Sequence, residues 1–414
     1  MKAEWKTKTL DDVCQFSNGL WKGEKPPFVN VGVIRNTNFT KEGTLDDSDI
    51  AYLDVEARKL EKRRLQFGDI ILEKSGGGPK QPVGRVALFD KEDGDFSFSN
   101  FTAALRVLDP QELDFRFLHK SLYWTYLSGV TEGMQSHSTG IRNLDGDAYK
   151  AIKIRIPSLS EQQRIVGILD EAFDGLATAT ANAEKNLHNA RALFESHLQS
   201  VFTQRGKGWD RVTLETLLER GWIESHLDGN HGSDYPRKDE FISEGVPYIS
   251  ANCLDDGQVD MTRAKFLSPR RAALLRKGIA KDNDVLFAHN ATVGPVAILH
   301  TDEEKVILGT SLTYYRCNPK HILPKYLAHY MRSFGFKSQY LQVMQQSTRN
   351  QVPITKQREF FHVIPPLDEQ KEIVGALDGF FENGQRLESI YQQKIAALGE
   401  LKKSLLHQAF SGNL

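Results

Sequence analysis

The sequence predicts an α/β (α+β) protein made by internal duplication. Two globular domains alternate with two long helices that pair as an intramolecular coiled coil. Three observations predict this. Residues 156–173 read IPSLSEQQRIVGILDEAF, and residues 364–381, 208 positions later, read IPPLDEQKEIVGALDGFF. From Ile156 to Asp174 against Ile364 to Glu382, 11 of 19 positions are identical without a gap. The register then continues, with Leu193, Ser196, Leu198 and Phe202 meeting Leu401, Ser404, Leu406 and Phe410. A period of that length is far too long for a solenoid unit and marks a duplicated domain pair. The second observation is a helical seam behind each copy of the phrase. The third is a set of matched strand-and-turn anchors ahead of each copy.

Each phrase opens a helix. Pro157 and the pair Pro365-Pro366 keep the preceding chain extended. Ser160, with Gln163 three residues on, fits a capping box, and Asp368 takes the cap position in the second copy. Apolar residues then recur at helical, mostly heptad-like steps: Ile165, Leu169, Phe173 (or Ala172), Leu176, Ala179, Ala183, Leu187, Ala190, Phe194, Leu198 and Val201. The second seam runs through Ile373, Leu377, Phe380, Gly384, Leu387, Tyr391, Ile395, Leu398, Leu401 (or Lys402) and Leu405. Gly206 and Gly412 mark the ends. Two helices of about 40–44 residues, roughly 60–66 Å long, are expected, each presenting one seam to the other.

The segments ahead of the helices read as one α/β domain written twice, with β-rich runs between glycine- and proline-marked turns. GDIILEKS (68–75) corresponds to NDVLFAHN (283–290), and VGRVALF (83–89) to VGPVAIL (293–299). DFRFLHKSL (114–122), a predicted helix, corresponds to LPKYLAHYM (323–331), and MQSHSTGIRNL (134–144) to MQQSTRNQVPI (344–354). Between these anchors the halves diverge. The domain boundaries are therefore 1–155, a first helix over 156–205, a second domain over 206–363 and a second helix over 364–414.

Composition narrows the function. The chain has 414 residues, 40% hydrophobic and 26% charged. No apolar run nears the roughly 18–20 residues that span a bilayer, and MKAEWKTKTLDD lacks the apolar stretch of a secretory signal. Cys14, Cys253 and Cys317 form no metal-ligand spacing, and a reducing cytoplasm is expected. Net charge is −1, divided as zero over 1–155, −2 over 156–205, +3 over 206–363 and −2 over 364–414. Any nucleic-acid binding must come from local patches or from a partner that shares the phosphate contacts.

Catalytic motifs fail on inspection. EKPPF (24–28) approaches the signature of adenine methyltransferases, but Lys25 stands where an amide or carboxylate must accept from the adenine amino group. No glycine loop for S-adenosylmethionine accompanies it. SGGGPKQ (75–81) lacks the spacing of a phosphate loop. Asp69, Glu73 and Lys74 have the wrong spacing for a nuclease, and the second copy keeps Asp284 without an equivalent of Glu73. The histidines pair with no nucleophile in a recognisable motif.

The duplicated phrase IPxLxEQxxIVxxLDxxF, placed before two long helices, resembles the specificity (S) subunit of type I restriction–modification systems, over essentially the whole chain. Ser158 and Ser160 replace that family's proline and acidic residue in the first copy, and serine caps a helix well. The resemblance implies two target-recognition domains separated by two antiparallel helices with pseudo-twofold symmetry. Each domain would read one half of a split site in double-stranded DNA. The helices would set the unspecified gap and dock two modification (methyltransferase) subunits, with two restriction–translocation subunits joining later. Catalysis would belong to those partners. No cofactor is expected on this chain, and S-adenosylmethionine, ATP and Mg would sit in partner subunits. Competing readings are a coiled-coil scaffold joining two protein-binding modules and a methyltransferase with a degenerate cofactor site.

Reading base edges needs forked donors and amides, Arg toward guanine and Asn or Gln toward adenine. In the first half the candidates are Lys74, Ser75, Lys80, Gln81 and Arg85 of one loop, and Gln135, Ser136, His137, Thr139, Arg142 and Asn143 of another. In the second half they are His289, Asn290 and Thr292, then Gln346, Ser347, Thr348, Arg349, Asn350 and Gln351. The two Arg-Asn pairs, 142–143 and 349–350, are foremost, although they could instead brace their turns. Lys22 and Lys25, and His226, Asp228 and His231, are further candidates. For partner docking, Glu161, Gln162, Glu369 and Gln370 recur in both phrases, with helix capping and solvation as the alternative role.

Overall fold

A computed structural model of the chain describes residues 5–20, 23–78, 81–138, 141–203, 206, 208–232, 235–346 and 350–414. The chain divides into two compact units, residues 1–184 with 392–414, and residues 185–391. Each unit holds one globular half together with part of each long helix.

In the first unit a four-stranded antiparallel sheet runs in the order Cys14–Asn18, Thr102–Val107, Ile70–Glu73, Val86–Leu88. A second sheet holds Ala51–Glu56, Phe28–Ile34 and Phe96–Phe98. The apolar run of GDIILEKS follows from burial on both faces. Ile70 and Leu72 join the core formed with helix Phe115–Leu127, whereas Ile71 points into a core shared with Ile34, Phe89 and Phe98. The second unit repeats this division. Val285 and Phe287 pack with helix Pro324–Arg332, and Leu286 and Ala288 pack into the opposite core. There the main sheet has six strands and its neighbour five. Almost every pairing is antiparallel, so the domains are α+β.

Both long helices have 45 residues, Leu159–Thr203 and Leu367–Ser411, or about 68 Å. They start earlier than the predicted caps. The amide of Gln162 already donates to the Ser158 carbonyl (3.0 Å) and that of Gln370 to Pro366 (3.0 Å), so Ser160 and Asp368 lie inside the first turn. The second helix stops at Gly412, whose left-handed φ of +82° lets the Asn413 amide reach back to the Gln408 carbonyl (2.9 Å). Within each unit the two helix segments run antiparallel. Phe173 meets Lys402 in the first, while Phe194 meets Phe381 and Arg191 meets Glu388 (2.9 Å) in the second. The seam differs from expectation. Its buried positions lie mostly toward the helix ends, where the helices enter the globular cores. Leu387 (41%) and Leu401 (48%) are exposed.

The repeated glutamine has the same role in both copies of the phrase. Gln162 is fully buried, and its amide oxygen accepts from the Asp114 backbone N–H (2.8 Å). Its nitrogen donates to the carbonyls of Glu112 and Pro157 (both 2.9 Å). Gln370 does the same, accepting from Leu323 (2.9 Å) and donating to His321 (2.8 Å) and Pro365 (2.9 Å). One side chain thereby joins the long helix, the strand before it and the start of the domain helix. The two glutamines are therefore internal clamps rather than docking residues. Glu161 pairs with Arg164, and Glu369 accepts from the Trp209 indole N–H (2.6 Å). A second tie follows two turns on, where Asp170 meets Lys120 (2.5 Å) and Asp378 meets both Lys325 (2.8 Å) and His329 (3.0 Å).

Replacing either clamp with alanine leaves a buried N–H and two carbonyls unpaired. Gln162→Ala and Gln370→Ala should each lose about 1–3 kcal/mol in urea unfolding followed by tryptophan fluorescence. Exposed Gln163→Ala should stay within about 0.5 kcal/mol of the parent. Equal effects at positions 162 and 163 would rule the clamp out.

Candidate nucleic-acid interface

In the first unit, the strand Ser75–Gly77 follows directly on the core strand Ile70–Glu73 and receives a hairpin, Gln135–Ser138 with Ile141–Leu144. The Leu144 amide donates to the Lys74 carbonyl (2.8 Å), and the Ser75 hydroxyl donates to Asn143 Oδ1 (2.6 Å). In the second unit the Val352 amide donates to the His289 carbonyl (2.8 Å), and Asn290 pairs with Gln351. The structural counterpart of Asn143 is thus Gln351, and that of Arg142 is Asn350. The two Arg-Asn dipeptides are one residue out of register. Arg142 thus corresponds in position to Asn350 and not to Arg349, so the two dipeptides are not a matched pair.

A third segment meets these two. Asn18-Gly19 and Asp228-Gly229 leave the first strand of each main sheet at equivalent points. At both glycines a Cβ would collide with a carbonyl oxygen, that of Ser99 or Gly309, so only glycine lets the chain pass. Asn18 Oδ1 accepts from Lys74 Nζ (2.8 Å), and burial lowers the Lys74 pKa. Asp228 pairs with exposed His231 (2.6 Å), and its charge acts on His289, the counterpart of Lys74. Lys25 lies exposed in the loop that follows Asn18.

Several predicted site residues face inward. The Arg85 guanidinium grips buried Glu73 through two nitrogens (2.7 and 3.0 Å) and also donates to the Asn36 carbonyl (3.0 Å), with the Gln81 carboxamide against it. Asn36 Nδ2 completes the group on Glu73 (3.0 Å). In the second half Ala251, Ala288 and Pro295 stand at the three positions, so the whole buried group was exchanged together. Asp69 is a structural carboxylate, held by Arg106 (2.7 and 2.6 Å) as Asp284 is by Arg316 (2.9 and 2.7 Å). His226 is 2% exposed, and its Nε2 faces Gln357 Oε1 (3.1 Å), which also accepts from Thr313 and Tyr315 (both 3.0 Å). His289 is likewise buried, its Nδ1 against the Val352 carbonyl (3.0 Å). These histidines position the segment after Asn350 from beneath and present no ring to solvent.

Gln135 is turned inward as well, donating to the carbonyls of Val83 and Thr131 (both 3.1 Å) and accepting from Arg142 (3.4 Å). Ser136, Thr292, Gln346 and Asn350 are exposed, and Asn350 Nδ2 donates to the Ala291 carbonyl (2.6 Å). His137 is described through its backbone, opposite Arg142. Lys22, Lys80, Thr139, Ser347, Thr348 and Arg349 lie outside the described residues.

A further basic feature lies outside every motif and is hidden by the net charge. Residues 57–64, ARKLEKRR, and 269–277, PRRAALLRK, are basic turns leading toward the main-sheet strand of each half, and Lys62 corresponds to Lys277. Arg63 Nε donates to the Asn18 carbonyl (3.0 Å), and Asn230 Nδ2 donates to that of Lys277 (2.9 Å). Local charge density, rather than net charge, is the signal that would have found them.

Among the described residues no group of three or more His, Cys, Asp or Glu could hold a metal ion, and no helix is long and apolar enough to cross a membrane. Two copies of one hydrogen-bonded framework, each exposing a different polar surface at the same corner, define a two-headed recognition protein. The chain belongs to the family of the type I restriction modification DNA specificity domain, whose profile matches residues 2–187 and 229–396. It is 23% identical over 410 residues to the EcoKI specificity subunit of Escherichia coli strain K12, covering 95% of this chain and 83% of that one. It is 22% identical over 404 residues to the StySPI specificity subunit of Salmonella potsdam, covering 92% and 82%. Two solved structures share the fold at 19% identity. A chain from work on complex assembly and conformational transition of the type I R-M system has a TM-score of 0.79, with 100% and 99% covered. The HsdS subunit of Thermoanaerobacter tengcongensis has a TM-score of 0.59, with 100% and 98% covered.

Burial lowers the pKa of His226 to about 3 and of His362 to about 4 from the ordinary 6.5, and lowers that of His289. The unfolded chain takes up these protons below pH 6.5, while the folded unit resists. This stability is full above pH 6.5 and is lost as pH falls through the window down to about 3. The first unit has one such group among the described residues, His119, lowered to about 4. Hydrogen exchange, corrected for its intrinsic pH dependence, should therefore show Ile223–Asp228 losing protection before Ile70–Glu73 on acidification. The reverse order would sink the assignment.

Removing Glu73 alone leaves the Arg85 charge uncompensated, so Glu73→Ala should cost about 3–5 kcal/mol. The double variant Glu73→Ala/Arg85→Ala should cost less than the sum of the single changes, measured by chemical denaturation as a double-mutant cycle. Additive losses would mean that the pair is not coupled.

Proposed function

We infer that this chain is the targeting subunit of a type I restriction–modification complex, reading a bipartite DNA site and catalysing nothing itself. Each unit reads one half-site through the corner where the Asn18 or Asp228 loop meets the Ser75–Gly77 or Asn290–Thr292 segment. The paired helices fix the unspecified gap. The chain works with methyltransferase and restriction subunits. The duplicated helices suit two methyltransferase subunits, with two restriction–translocation subunits joining them, and the complex acts in the cytoplasm. S-adenosylmethionine, ATP and Mg are held by those partners.

The observation that carries this reading is the contrast within the duplication. The clamps at Gln162 and Gln370 and the ion pairs at Asp69 and Asp284 are kept, while the polar groups at the shared corner differ between halves. A framework kept constant around varied donors and acceptors is what two different half-sites require. Single-molecule sequencing of host DNA, with the gene intact and deleted, should show the loss of one methyladenine motif of two short halves around a gap. Unchanged methylation in a strain that expresses both the chain and its methyltransferase would overturn the reading and favour a protein scaffold.

A further inference from the structure

We propose that the basic turns at 57–64 and 269–277 grip the DNA phosphate backbone beside each half-site, independently of sequence. This rests on the targeting function and adds to it a division of labour between neighbouring segments. The first turn has five basic residues and one acidic residue, and the second has four basic residues and none acidic, in a chain of net charge −1. Position is as informative as composition. Each turn opens with a short helix, Ala57–Glu61 or Pro269–Ala273, and soon reaches a buried residue, Leu65 or Ala280, that anchors it to the core of its unit.

Apart from Arg63, the cations of the two turns fall into two groups. Arg64 pairs with Asp95, Lys59 with Glu56 (4.0 Å), and Arg271 with Glu240 (2.6 Å). Arg58 and Lys62 in the first unit, and Arg270, Arg276 and Lys277 in the second, are exposed and form no ion pair with any described residue. The cations of the interior behave differently: Arg85, Arg106 and Arg316 each neutralise a buried carboxylate. Exposed like charges held on one short turn repel one another, and a polyanion relieves that repulsion by exchanging its counterions for them. A solvated surface needs no such one-sided set, nor its recurrence at the same place in two halves whose exposed loops have otherwise diverged.

The turn is also fixed against the candidate reading corner. In the first unit Asn18 accepts from Arg63 through its carbonyl (3.0 Å) and from Lys74 through its side chain (2.8 Å), linking turn and corner through one residue. In the second unit Asn230 donates to the Lys277 carbonyl (2.9 Å), two residues beyond Asp228. Phosphate contacts made by the turn would hold the corner at a set depth in the groove. Such contacts set register while carrying no base information.

The test uses the full chain assembled with its methyltransferase. Binding is measured by fluorescence anisotropy across a salt series, on a duplex bearing the methylated motif and on a scrambled duplex. Arg58→Ala/Lys62→Ala and Arg270→Ala/Arg276→Ala/Lys277→Ala should each flatten the plot of log K against log salt, by about 0.9 for every phosphate no longer neutralised. Affinity should fall by the same factor on both duplexes, with the methylated motif unchanged. The charge-keeping swap Arg58→Lys/Lys62→Arg should retain the slope. Glutamine replacements take the place of alanine wherever alanine lowers the melting temperature. An unchanged slope in folded variants, or weakening on the motif duplex alone, would overturn the grip. A parent complex that binds both duplexes equally would instead overturn the targeting function. A slope that still fell in the variants would then support a sequence-independent grip.

Discussion

The rest of the structure depends on a buried carboxamide. Gln162 and Gln370 each saturate one backbone N–H and two carbonyls at the junction of strand, domain helix and long helix. Glutamate at that place would keep the acceptor and lose both donors, and an apolar residue would strand all three backbone groups. Only an amide with this reach satisfies the junction, which is why glutamine stands at the same place in both copies. The aspartate two turns along, Asp170 or Asp378, ties the same pair of elements again through a basic side chain on the domain helix. Each domain is thus joined to its helix by directed bonds at two levels, and a fixed junction is what allows a helix to act as a spacer.

The same logic governs what was allowed to change. Asp69 and Asp284 are each held by two nitrogens of an arginine and by a backbone amide, so neither partner can be altered alone without burying an unpaired charge. Where a buried polar group did change, it changed as a unit: Asn36, Glu73 and Arg85 on one side, Ala251, Ala288 and Pro295 on the other. Exposed positions carry no such coupling, and there the halves are free to differ residue by residue. Divergence at the solvent-facing corner therefore needs no special tolerance of the fold.

The duplication and the two long helices are legible because helical period and internal repetition survive in a single sequence, while their antiparallel sense comes from the family resemblance. The run GDIILEKS is legible as a buried strand for a similar reason, being apolar on both faces. Less legible is anything decided by a side chain's direction. Gln162 reads as a polar residue in a first helical turn, and only the fold shows that the turn faces the domain helix. His226 and His289 read as loop donors, but they sit in strands whose polar partners, Gln357 and Val352, are 131 and 63 residues away. The Arg-Asn dipeptides look equivalent because the eye aligns identical letters, while hydrogen bonding aligns backbone positions one residue apart. Leu387 and Leu401 fit the heptad and still face solvent, and at the second of these steps the alternative Lys402 turns inward against Phe173 and Tyr123.

Net charge then acquires a meaning that composition alone could not give it. A chain that must find one site among many gains little from strong attraction to all DNA, because every added phosphate contact raises specific and non-specific affinity alike. At net charge −1 the chain as a whole offers almost no such attraction. Among the described residues Arg85, Arg106 and Arg316 hold the framework through buried carboxylates, while Arg58, Lys62, Arg270, Arg276 and Lys277 stand exposed on two turns beside the reading corners. Affinity drawn from a few phosphates, at points tied to Asn18 and Asn230, adds equally to binding at any sequence. Discrimination is then left to the donors and acceptors of the corner, and those are the groups in which the two halves differ.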